Sequence, residues 1–555
     1  MSEQRHDVHQ LALTALAPLH IGTGQDLEPT GYVIDGEDLY RFSPEAALRA
    51  LPAAARDELT RILSAAPTVQ LIKQVQAFFH RHSEALIAEA EQAMPVLPRI
   101  AEEYRQRVGK TAQQEQDREI INQLQIARTY TDARTGRPIL PGSSLKGAIR
   151  TALLDVENAG QPPQRGERNR DLQQRLFHYR QFDLDPMRLV QIGDARDESP
   201  TETYATEVRY AVNRKREAVF KEGRELTAQA ERLRQVLECV PPLRPQAFTG
   251  LFGVQDVSAI ASRKLPDPSL RWTFEDIAHA CNRFYQPILK REIKELGNRG
   301  YVARDWSATI LQLLLAKQPQ MEDGRAFLLR VGRHSGAESV TLNGVRSIRI
   351  NMGKDPETKR TRYQNMSSAK TVWLAAGDIQ QRTEMLPFGW VLVEAAPIGD
   401  ALPSWPQGLL DAVASLDGEQ AHTWSQRVTE RRNALREAAA ARRAREQQCA
   451  EEAARKEQEA AEKAARRANL SDEARELEDL RDRFAQDQAA GRNEKGGELA
   501  NQLVALLAEA EQNWSGPVCG ELADLAEAIY AFIGWPAKKK KQARKEQIAA
   551  IRAKA

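Results

Sequence analysis

The sequence predicts an α+β protein, because strand-like and helix-like segments alternate along most of the chain. Residues 9–19 have the pattern of a strand that ends in Pro18. Residues 32–42 have that of a hairpin, since Asp35-Gly36 separates two apolar runs. Helical patterns follow these strands. The composition then changes abruptly after Gly418, because residues 419–490 contain neither glycine nor proline, which predicts a long helical extension.

A first unit is predicted over residues 1–260. Within it, Ser43-Pro44 is a typical helix start, with serine as the N-cap and proline at the first helical position. Residues 55–125 are rich in Ala, Glu, Gln and Arg and interrupt the pattern of strands. We therefore predict that they form a helical insertion.

The second half of this unit mixes the two kinds of element. Residues 137–155 predict a Pro/Gly turn followed by an amphipathic helix. Residues 211–234 are charged and are predicted to be helical. Residues 236–240 and 248–254 are predicted to be strands that pair around a proline-rich turn.

A second α+β unit with a glycine loop is predicted over residues 261–404. Thr273 opens a helical stretch that continues to about residue 317, and the short strands that follow are predicted at 326–331, 371–375 and 390–394. Strands and helices therefore alternate here as they do in the first unit.

The rest of the chain is predicted to be a long charged Ala-rich helix or linker, residues 405–498, and a small helical segment with a basic tail, residues 499–555. Residues 431–490 contain 18 Ala but only four Leu, too few for a regular coiled-coil seam. A solvated helix, a disordered linker and a coiled-coil partner face stay open as interpretations. In residues 537–555, eight Lys/Arg face one Glu, so the tail carries +7.

Several classes of protein are disfavoured by composition. The chain has no apolar run long enough for a membrane span, and its polar N-terminus predicts no secretion signal. Its four cysteines form no C-x-x-C pair, which disfavours a zinc ribbon and a disulfide framework. We expect a cytoplasmic protein without membrane contact, bound metal or cofactor.

The first candidate site is PLHIGTG, residues 18–24, directly after a predicted strand. Gly22 and Gly24 would let the backbone approach a ligand closely, and the exposed N–H groups could face a phosphate. His20 is a candidate general base or a hydrogen-bonding partner for RNA. The alternative is a histidine with a structural hydrogen bond only.

The second candidate is LPGSSLKGAIR, residues 140–150. Unpaired N–H groups at a helix start suit an RNA phosphate, and Lys146 and Arg150 lie one turn apart on the same face. Ser143 or Ser144 is predicted to cap the helix. Arg134 and Arg137 precede it, with no acidic residue between residues 134 and 150. The alternative is an ordinary capped helix with solvated cations.

The third candidate follows the strand predicted at 326–331. Glycines beside arginines suggest a backbone cradle for phosphates, and the residues concerned are Gly332, Arg333, His334, Gly336, Arg346 and Arg349. The alternative is a glycine hairpin with exposed arginines.

The order of these segments resembles that of the RAMP superfamily of CRISPR-associated proteins. The resemblance rests on PLHIGTG, on LPGSSLKGAIRTALL, and on VGRHSG followed by PFGW at residues 387–390. Within the superfamily the pattern is most similar to the fifth Csm subunit of type III-A effector complexes. It covers about residues 9–400, and nothing after about residue 405 belongs to it.

The resemblance implies a ferredoxin-like (RRM-like) core with helical insertions in a non-catalytic RNA-binding subunit. Such a subunit caps the backbone of the complex at the 3′ end of the CRISPR RNA (crRNA), the guide RNA of antiviral defence. It also assists crRNA maturation. The implied partners are crRNA, other RAMP subunits and a host nuclease. The implied RNA-binding residues are His20, Gly22, Gly24, Ser143, Ser144, Lys146, Arg150, Gly332, Arg333, His334 and Gly336.

The same resemblance implies an alternative, a metal-independent endoribonuclease that cuts precursor crRNA. His20 or His334 would then be the general base, and Lys146 would stabilise the developing charge. Aromatic residues make up only 6% of the chain, so we expect backbone contacts to dominate any RNA binding. Such binding is sensitive to salt and weakly selective for sequence.

Overall fold

The computed structural model describes residues 5–110, 113–115, 118–120, 124–199, 204–226, 234–258, 260, 262 and 264–555. The chain divides into two compact units, Met1–Ala439 (unit 1) and Ala440–Ala555 (unit 2). No helix among the described residues has the length and apolar character needed to cross a membrane.

Strands and helices alternate through unit 1, and unit 2 is helical. The strands are β1 (Arg5–Ala15), β2 (Gly22–Leu27), β3 (Tyr32–Asp35), β4 (Asp38–Arg41), β5 (Gln92–Pro95), β6 (Gln113–Glu115), β7 (Arg118–Ile120), β8 (Ile126–Thr129), β9 (Ile139–Leu140), β10 (Val190–Ile192), β11 (Ala195–Asp197), β12 (Glu207–Lys215), β13 (Phe220–Lys221), β14 (Arg224–Glu225), β15 (Gln235–Cys239), β16 (Phe248–Asp256), β17 (Ala326–Arg330), β18 (Ile348–Lys354), β19 (Thr361–Met366), β20 (Thr371–Ala376), β21 (Leu386–Pro387) and β22 (Trp390–Pro397).

The helices account for most of the remaining described residues. They are α1 (Pro44–Ala50), α2 (Ala53–Leu63), α3 (Val69–Arg81), α4 (Ser83–Ala88), α5 (Pro98–Arg107), α6 (Gly142–Asn158), α7 (Asn169–Leu176), α8 (Phe274–Asn298), α9 (Arg304–Ala316), α10 (Gln318–Glu322), α11 (Gln407–Ala468), α12 (Asp472–Ala489), α13 (Glu498–Asn513), α14 (Pro517–Ile533) and α15 (Lys538–Arg552).

The α+β class is confirmed, and unit 1 is built on two sheets. In the first, the order is β17-β22-β1-β16-β11-β9, with β10 also paired to β16. β1 lies in its middle, where Leu11 faces Gly250 on one side and Ala395 on the other. In the second, the order is β2-β8-β15-β12-β20-β21. Both sheets take strands from either side of residue 260, so the boundary predicted there does not separate two folded units.

Two predictions for residues 211–254 are wrong. The segment predicted to be helical contains β12, β13 and β14 instead; β12 is the paired neighbour of β15 and β20, and this burial outweighs its charged composition. The remainder of that prediction, residues 227–233, lies outside the described residues. The strands predicted to pair, β15 and β16, belong to different sheets. Leu243 and Gln246 between them have positive φ, and this turn leads the chain from one sheet to the other.

Helices cover the first sheet. α8 begins as predicted at Thr273, whose hydroxyl accepts from the backbone N–H of Asp276 while the Asp276 carboxylate accepts from the N–H of Thr273. Its buried face, which includes Ile277, packs into the main core. The Tyr285 hydroxyl donates to the carbonyl of Ala148, 3.0 Å away, and so joins α8 to α6.

Most of the predicted insertion forms a subdomain with its own core. Helices α2–α5 are present as expected, but α5 packs into the main core. The insertion is not wholly helical: β5 pairs with β4 in a three-stranded sheet with β3, and β6 pairs with β7. Phe78 and Ile87 are buried here together with Val428 and Leu435 from the first part of α11. Unit 1 therefore continues beyond the boundary predicted at residue 405.

Unit 2 has a separate core formed by its helices. Leu480, Leu503, Leu522 and Ile551 come from α12, α13, α14 and α15 and are buried together. The boundary predicted at residue 498 therefore falls inside one packed unit. The basic tail is helical, and its apolar residues join this core.

Candidate functional site

Three of the segments singled out in the sequence meet at one end of the strands of the first sheet. β1 and β17 both run antiparallel to β22, which lies between them, so β1 and β17 end where β22 begins. The backbone N–H of Gly389 donates to the carbonyl of Pro18 at 3.1 Å, and that of Arg333 to the carbonyl of His20 at 2.8 Å. Residues 18–24, 331–336 and 387–390, here called the loop junction, are thus bonded together through their backbones.

Glycine is required at two positions of the loop junction. Gly332 has φ of +83°, and a Cβ atom there would lie 2.4 Å from the carbonyl oxygen of His20. Gly389 has φ of +87°, and its Cβ would lie 2.4 Å from the carbonyl oxygen of Val331. Any side chain would therefore push the loops apart, because these contacts are with backbone atoms.

His20 is fully buried, and its protonation state follows from its partner. Its Nδ1 lies 2.7 Å from the carbonyl oxygen of Glu238. A carbonyl only accepts, so Nδ1 carries the proton and Nε2 of the neutral ring has a free lone pair. Burial lowers the pKa of His20 and keeps the ring neutral. Nε2 has no hydrogen-bond partner among the described residues.

The space beside this free nitrogen lies at Gly22. A Cβ atom on Gly22 would be 3.2 Å from Nε2 of His20, and no atom outside His20 would come within 4 Å of it. Gly22 and Gly24 are exposed in β2, an edge strand of the second sheet. A hydroxyl group placed where the Gly22 side chain would be could therefore donate a hydrogen bond to Nε2 without a clash.

Arg333 and His334 lie at the same junction in different environments. Arg333 is exposed, and its guanidinium makes no side-chain hydrogen bond or ion pair within the part of the chain that the structure describes. Its positive charge contributes to the lowered pKa of both His20 and His334, so it lies near both rings. His334 stacks on Trp373 with ring centroids 4.4 Å apart, and burial lowers its pKa to about 3.

A buried ion pair stabilises the loop junction on the side that faces the core. A guanidinium N–H of Arg330 donates to Glu292 at 3.0 Å, and Nε of Arg330 donates to the carbonyl of Phe388 at 2.9 Å. The second Glu292 oxygen accepts from the indole of Trp390 at 2.8 Å. These bonds hold the end of β17 against the residues that precede β22.

The helix of the second motif begins differently from the prediction. Its N-cap is Pro141, and neither Ser143 nor Ser144 caps it, because both lie within the first turn. The Asp194 carboxylate accepts from the first helical N–H, that of Gly142, at 2.8 Å. A Cβ on Gly142 would lie 2.2 Å from the carbonyl oxygen of Ile192, so this helix start is tightly packed. Ser143 is exposed.

The cations of this helix are directed to partners within the chain. Nζ of Lys146 donates to the carbonyl of Val190 at 2.7 Å. One guanidinium nitrogen of Arg150 contacts both carboxylate oxygens of Asp185, at 3.1 and 2.8 Å, and the second donates to the hydroxyl of Tyr179. Both side chains therefore already stabilise the fold here.

The loop before this helix contacts the loop junction. The backbone N–H of Tyr130 donates to the carbonyl of Ile21 at 2.7 Å. Farther along, Arg137 pairs with Asp197 at 2.9 Å, whereas Arg134 is exposed and has no side-chain partner among the residues described. Of the two predicted arginines, Arg134 is the one whose charge is free.

The last two predicted arginines belong to a basic hairpin that the sequence interpretation did not identify. Residues 346–370, here called the basic hairpin, contain seven Lys/Arg against two acidic residues and include β18 and β19. Arg346 donates to Thr341 and to the carbonyl of Glu338, so it anchors the hairpin base. Arg349 is exposed and lies over the ring of Tyr363 at 3.9 Å. The sequence signal for this hairpin is the turn-forming Asp355-Pro356 between two basic, β-branched runs.

Comparisons with known proteins found one family model and two similar solved structures. Residues 12–263 match the family model of the RAMP superfamily. No curated protein matches the chain. A chain of the cryo-EM structure of a Csm–crRNA–target RNA ternary complex of a type III-A CRISPR–Cas system is 18% identical, with a TM-score of 0.42, covering 70% of this chain and all of that one. The crystal structure of Csm5 from T. onnurineus is 18% identical, with a TM-score of 0.38, covering 68% and 99%.

Proposed function

From the match of residues 12–263 to the RAMP superfamily model, we propose that the protein is a RAMP protein and an RNA-binding subunit of a type III-A CRISPR effector complex. In this role it binds the 3′ region of crRNA at the end of the protein backbone. Its partners are crRNA and other RAMP subunits. Three groups at one site support the proposal: a free acceptor on His20, exposed glycine backbone at Gly22 and Gly24, and the free cation of Arg333.

The observation that carries the proposal is the unpartnered Nε2 of His20 beside the exposed Gly22. A neutral imidazole nitrogen accepts a hydrogen bond, and a ribose 2′-hydroxyl can donate one. Arg333, free and adjacent, is placed to neutralise a neighbouring phosphate. Since the 2′-hydroxyl distinguishes RNA from DNA, the hydrogen bond to His20 favours RNA over DNA of the same sequence.

The direct test is RNA binding by the full chain, measured by fluorescence anisotropy with a labelled single-stranded RNA. We expect Arg333→Ala to raise Kd about tenfold, equivalent to ~1.4 kcal/mol, and to lower the salt slope by about 0.7, as expected for one phosphate contact. Arg56→Ala is the matched control, because Arg56 is also exposed but lies on α2. Equal affinity of the two variants, or no binding by the unmodified chain at low salt, would overturn the proposal.

A second function, metal-independent cleavage of precursor crRNA, is favoured by one feature. Nε2 of neutral His20 is free to act as a base, and a base beside a 2′-hydroxyl is what such cleavage needs. His334 is a weaker candidate because its pKa is lowered to about 3, which makes it a poor proton acceptor. Cleavage of repeat RNA in EDTA that is lost in His20→Ala but kept in His334→Ala would establish this function. Intact RNA would reject it.

Assistance in crRNA maturation, through a host nuclease, is the remaining part of the proposal. It is tested by sequencing the RNA that co-purifies with the tagged protein. We expect short RNAs with one common repeat-derived 5′ end. In the complex that lacks this subunit, the 3′ ends should be longer. Unchanged 3′ ends would remove maturation from the proposed role and leave binding intact.

A further inference from the structure

A cleft in unit 2 has no role in the function proposed above. It has a volume of about 790 Å³ and lies between α13, α15 and the turn that follows α14. This volume is typical of ligand-binding sites. We propose that the cleft binds an acidic amphipathic segment of a partner protein. The observations that support this are its apolar floor, its cationic rim and the absence of a free aromatic surface within it.

The floor of the cleft consists of small apolar side chains. Ala500 and Val504 contribute from α13, and Ala543 and Ala550 contribute from α15. Residues 500 and 504, four apart on a helix, share one face. Small side chains on facing helices leave a channel that larger apolar side chains of a ligand can fill. This arrangement suits an amphipathic helix laid into a groove.

The rim of the cleft is cationic. Lys495, Lys540 and Arg544 line it, and neither lysine has an ion-pair partner among the described residues. The lining also contains two acidic residues, each of which accepts from a glutamine: Gln547 donates to Glu511 at 2.6 Å, and Gln542 donates to Glu546 at 3.0 Å. The three cations of the lining outnumber these two anions.

The same helix carries further cations outside the lining of the cleft. Lys538, Lys539, Lys541 and Lys545 add four positive charges beside the cleft. The surroundings therefore attract carboxylates and repel basic peptides.

The chemistry of the cleft favours a protein segment over RNA. Single-stranded RNA binds to surfaces on which bases stack against exposed rings. The ring in the lining, Tyr530, is buried and stacks on Trp535 with centroids 4.7 Å apart. Lys541 and Lys545 lie 5.6 and 5.5 Å from the Trp535 ring and cover it further. An apolar floor without an accessible ring offers sites for aliphatic side chains instead.

The test uses the full chain and a displayed library of random 16-residue peptides. Peptides are selected on the unmodified chain and counter-selected on Lys540→Glu/Arg544→Glu. We expect enriched peptides to combine Asp or Glu with apolar residues three or four apart. Synthetic copies should bind the unmodified chain at least tenfold more tightly than this variant. Enrichment of basic peptides, or no enrichment, would overturn the proposal.

Two further variants separate contact in the cleft from general attraction. Lys538→Glu/Lys539→Glu reverses the same number of charges on the same helix but outside the lining, so its effect on Kd should stay below threefold. Ala543→Leu fills the cleft without a change of charge and should also weaken binding at least tenfold. Equal losses in the two charge variants, or unchanged binding by Ala543→Leu, would contradict the proposed site. Circular dichroism verifies that each variant is folded, and RNA binding by unit 1 should remain unchanged throughout.

Discussion

At the scale of single residues, His20 illustrates how a distant backbone group sets the chemistry of a side chain. The carbonyl of Glu238, far along the sequence, fixes the proton on Nδ1 and leaves Nε2 as an acceptor. The sequence predicted His20 as a candidate because of its neighbouring glycines. It could not predict the tautomer, since this depends on how β15 lies beside the loop junction.

The lowered pKa of His334 predicts a pH-dependent stability. A buried neutral histidine binds fewer protons than the unfolded chain below the unfolded pKa of about 6.5. The contribution of neutral His334 to the unfolding free energy is therefore complete above pH 6.5, and it is lost as the pH falls toward the folded pKa of about 3. When the pH is lowered from 7 to 5, the unfolding free energy of the unmodified chain should fall by about 1–2 kcal/mol more than that of His334→Asn. Chemical denaturation at the two pH values measures this difference. Asparagine tolerates the positive φ of this residue.

The control for this measurement is His178→Asn. His178 also has positive φ but is exposed. Its variant should retain the pH dependence attributed to His334. If His334→Asn lost stability as steeply as the unmodified chain, the burial of His334 would not be the cause.

Free and engaged arginines should respond differently to the same substitution. Arg150 is bonded to Asp185, whose carboxylate is nearly inaccessible to solvent, and Arg150→Ala leaves this acid without its partner. We expect a loss of about 2–3 kcal/mol in unfolding free energy, measured by urea denaturation. Arg333→Ala should change this free energy by less than about 0.5 kcal/mol. A reversed ranking would show that Arg333 has a structural partner.

At the scale of elements, strand order brings the loops of the site together. Because β22 lies between β1 and β17, the residues after β1 and after β17 meet those before β22. No local pattern in the sequence contains this information. The three segments of the loop junction could be recognised one by one, but their convergence depends on pairing between strands that are distant in the sequence, such as β1 and β22.

Gly332 is the element-scale test of this convergence. Gly332→Ala should lower the unfolding free energy by about 2–4 kcal/mol, because its Cβ would meet a backbone oxygen and its φ is positive. Gly24→Ala is the matched control, with a similar φ of +77° but open space around its Cβ. It should cost about 1 kcal/mol. Thermal denaturation distinguishes the two, and equal losses would mean that the loops separate without cost.

The sequence predicts correctly those elements that depend on neighbouring residues, such as helix caps and tight turns. Ser43 caps α1, and the hairpin with Gly36 at its turn forms β3 and β4. The predictions failed where tertiary contacts prevailed. β12 is a strand because it is paired on both sides in a sheet. Gly142 is bonded by Asp194 rather than by a neighbouring serine, because Asp194 is brought in from a distant turn.

At the scale of the whole molecule, the end of unit 1 lies within a helix. Trp424 donates to Asp38 at 2.6 Å, and Arg436 donates to the carbonyl of Ala88 at 2.8 Å. Val428 and Leu435 are buried in the insertion subdomain. The abrupt change of composition near Gly418 therefore does not mark the end of unit 1, which includes the residues up to Ala439.

Two truncated chains should show whether unit 1 needs the first part of α11 for its stability. A chain ending at Ala439 keeps every contact of unit 1 named above, so its thermal transition should match that of unit 1 in the full chain. A chain ending at Ser404 loses Trp405, Val428 and Leu435 from buried positions, at a cost of about 5 kcal/mol or more. Calorimetry of both chains checks this expectation. Equal midpoints would show that the first part of α11 contributes nothing to unit 1.

The central place of β1 also governs how the protein is made. On the ribosome, the strand Arg5–Ala15 emerges long before its neighbour Trp390–Pro397 is translated. At a rate of about 5–20 residues per second, the delay is roughly 20–75 s. Throughout this interval one edge of the nascent strand lacks its permanent neighbour and is open to pairing with another chain. We expect the yield of native protein to depend on what shields that edge during translation, for example a holding chaperone, as much as on the stability of the finished fold.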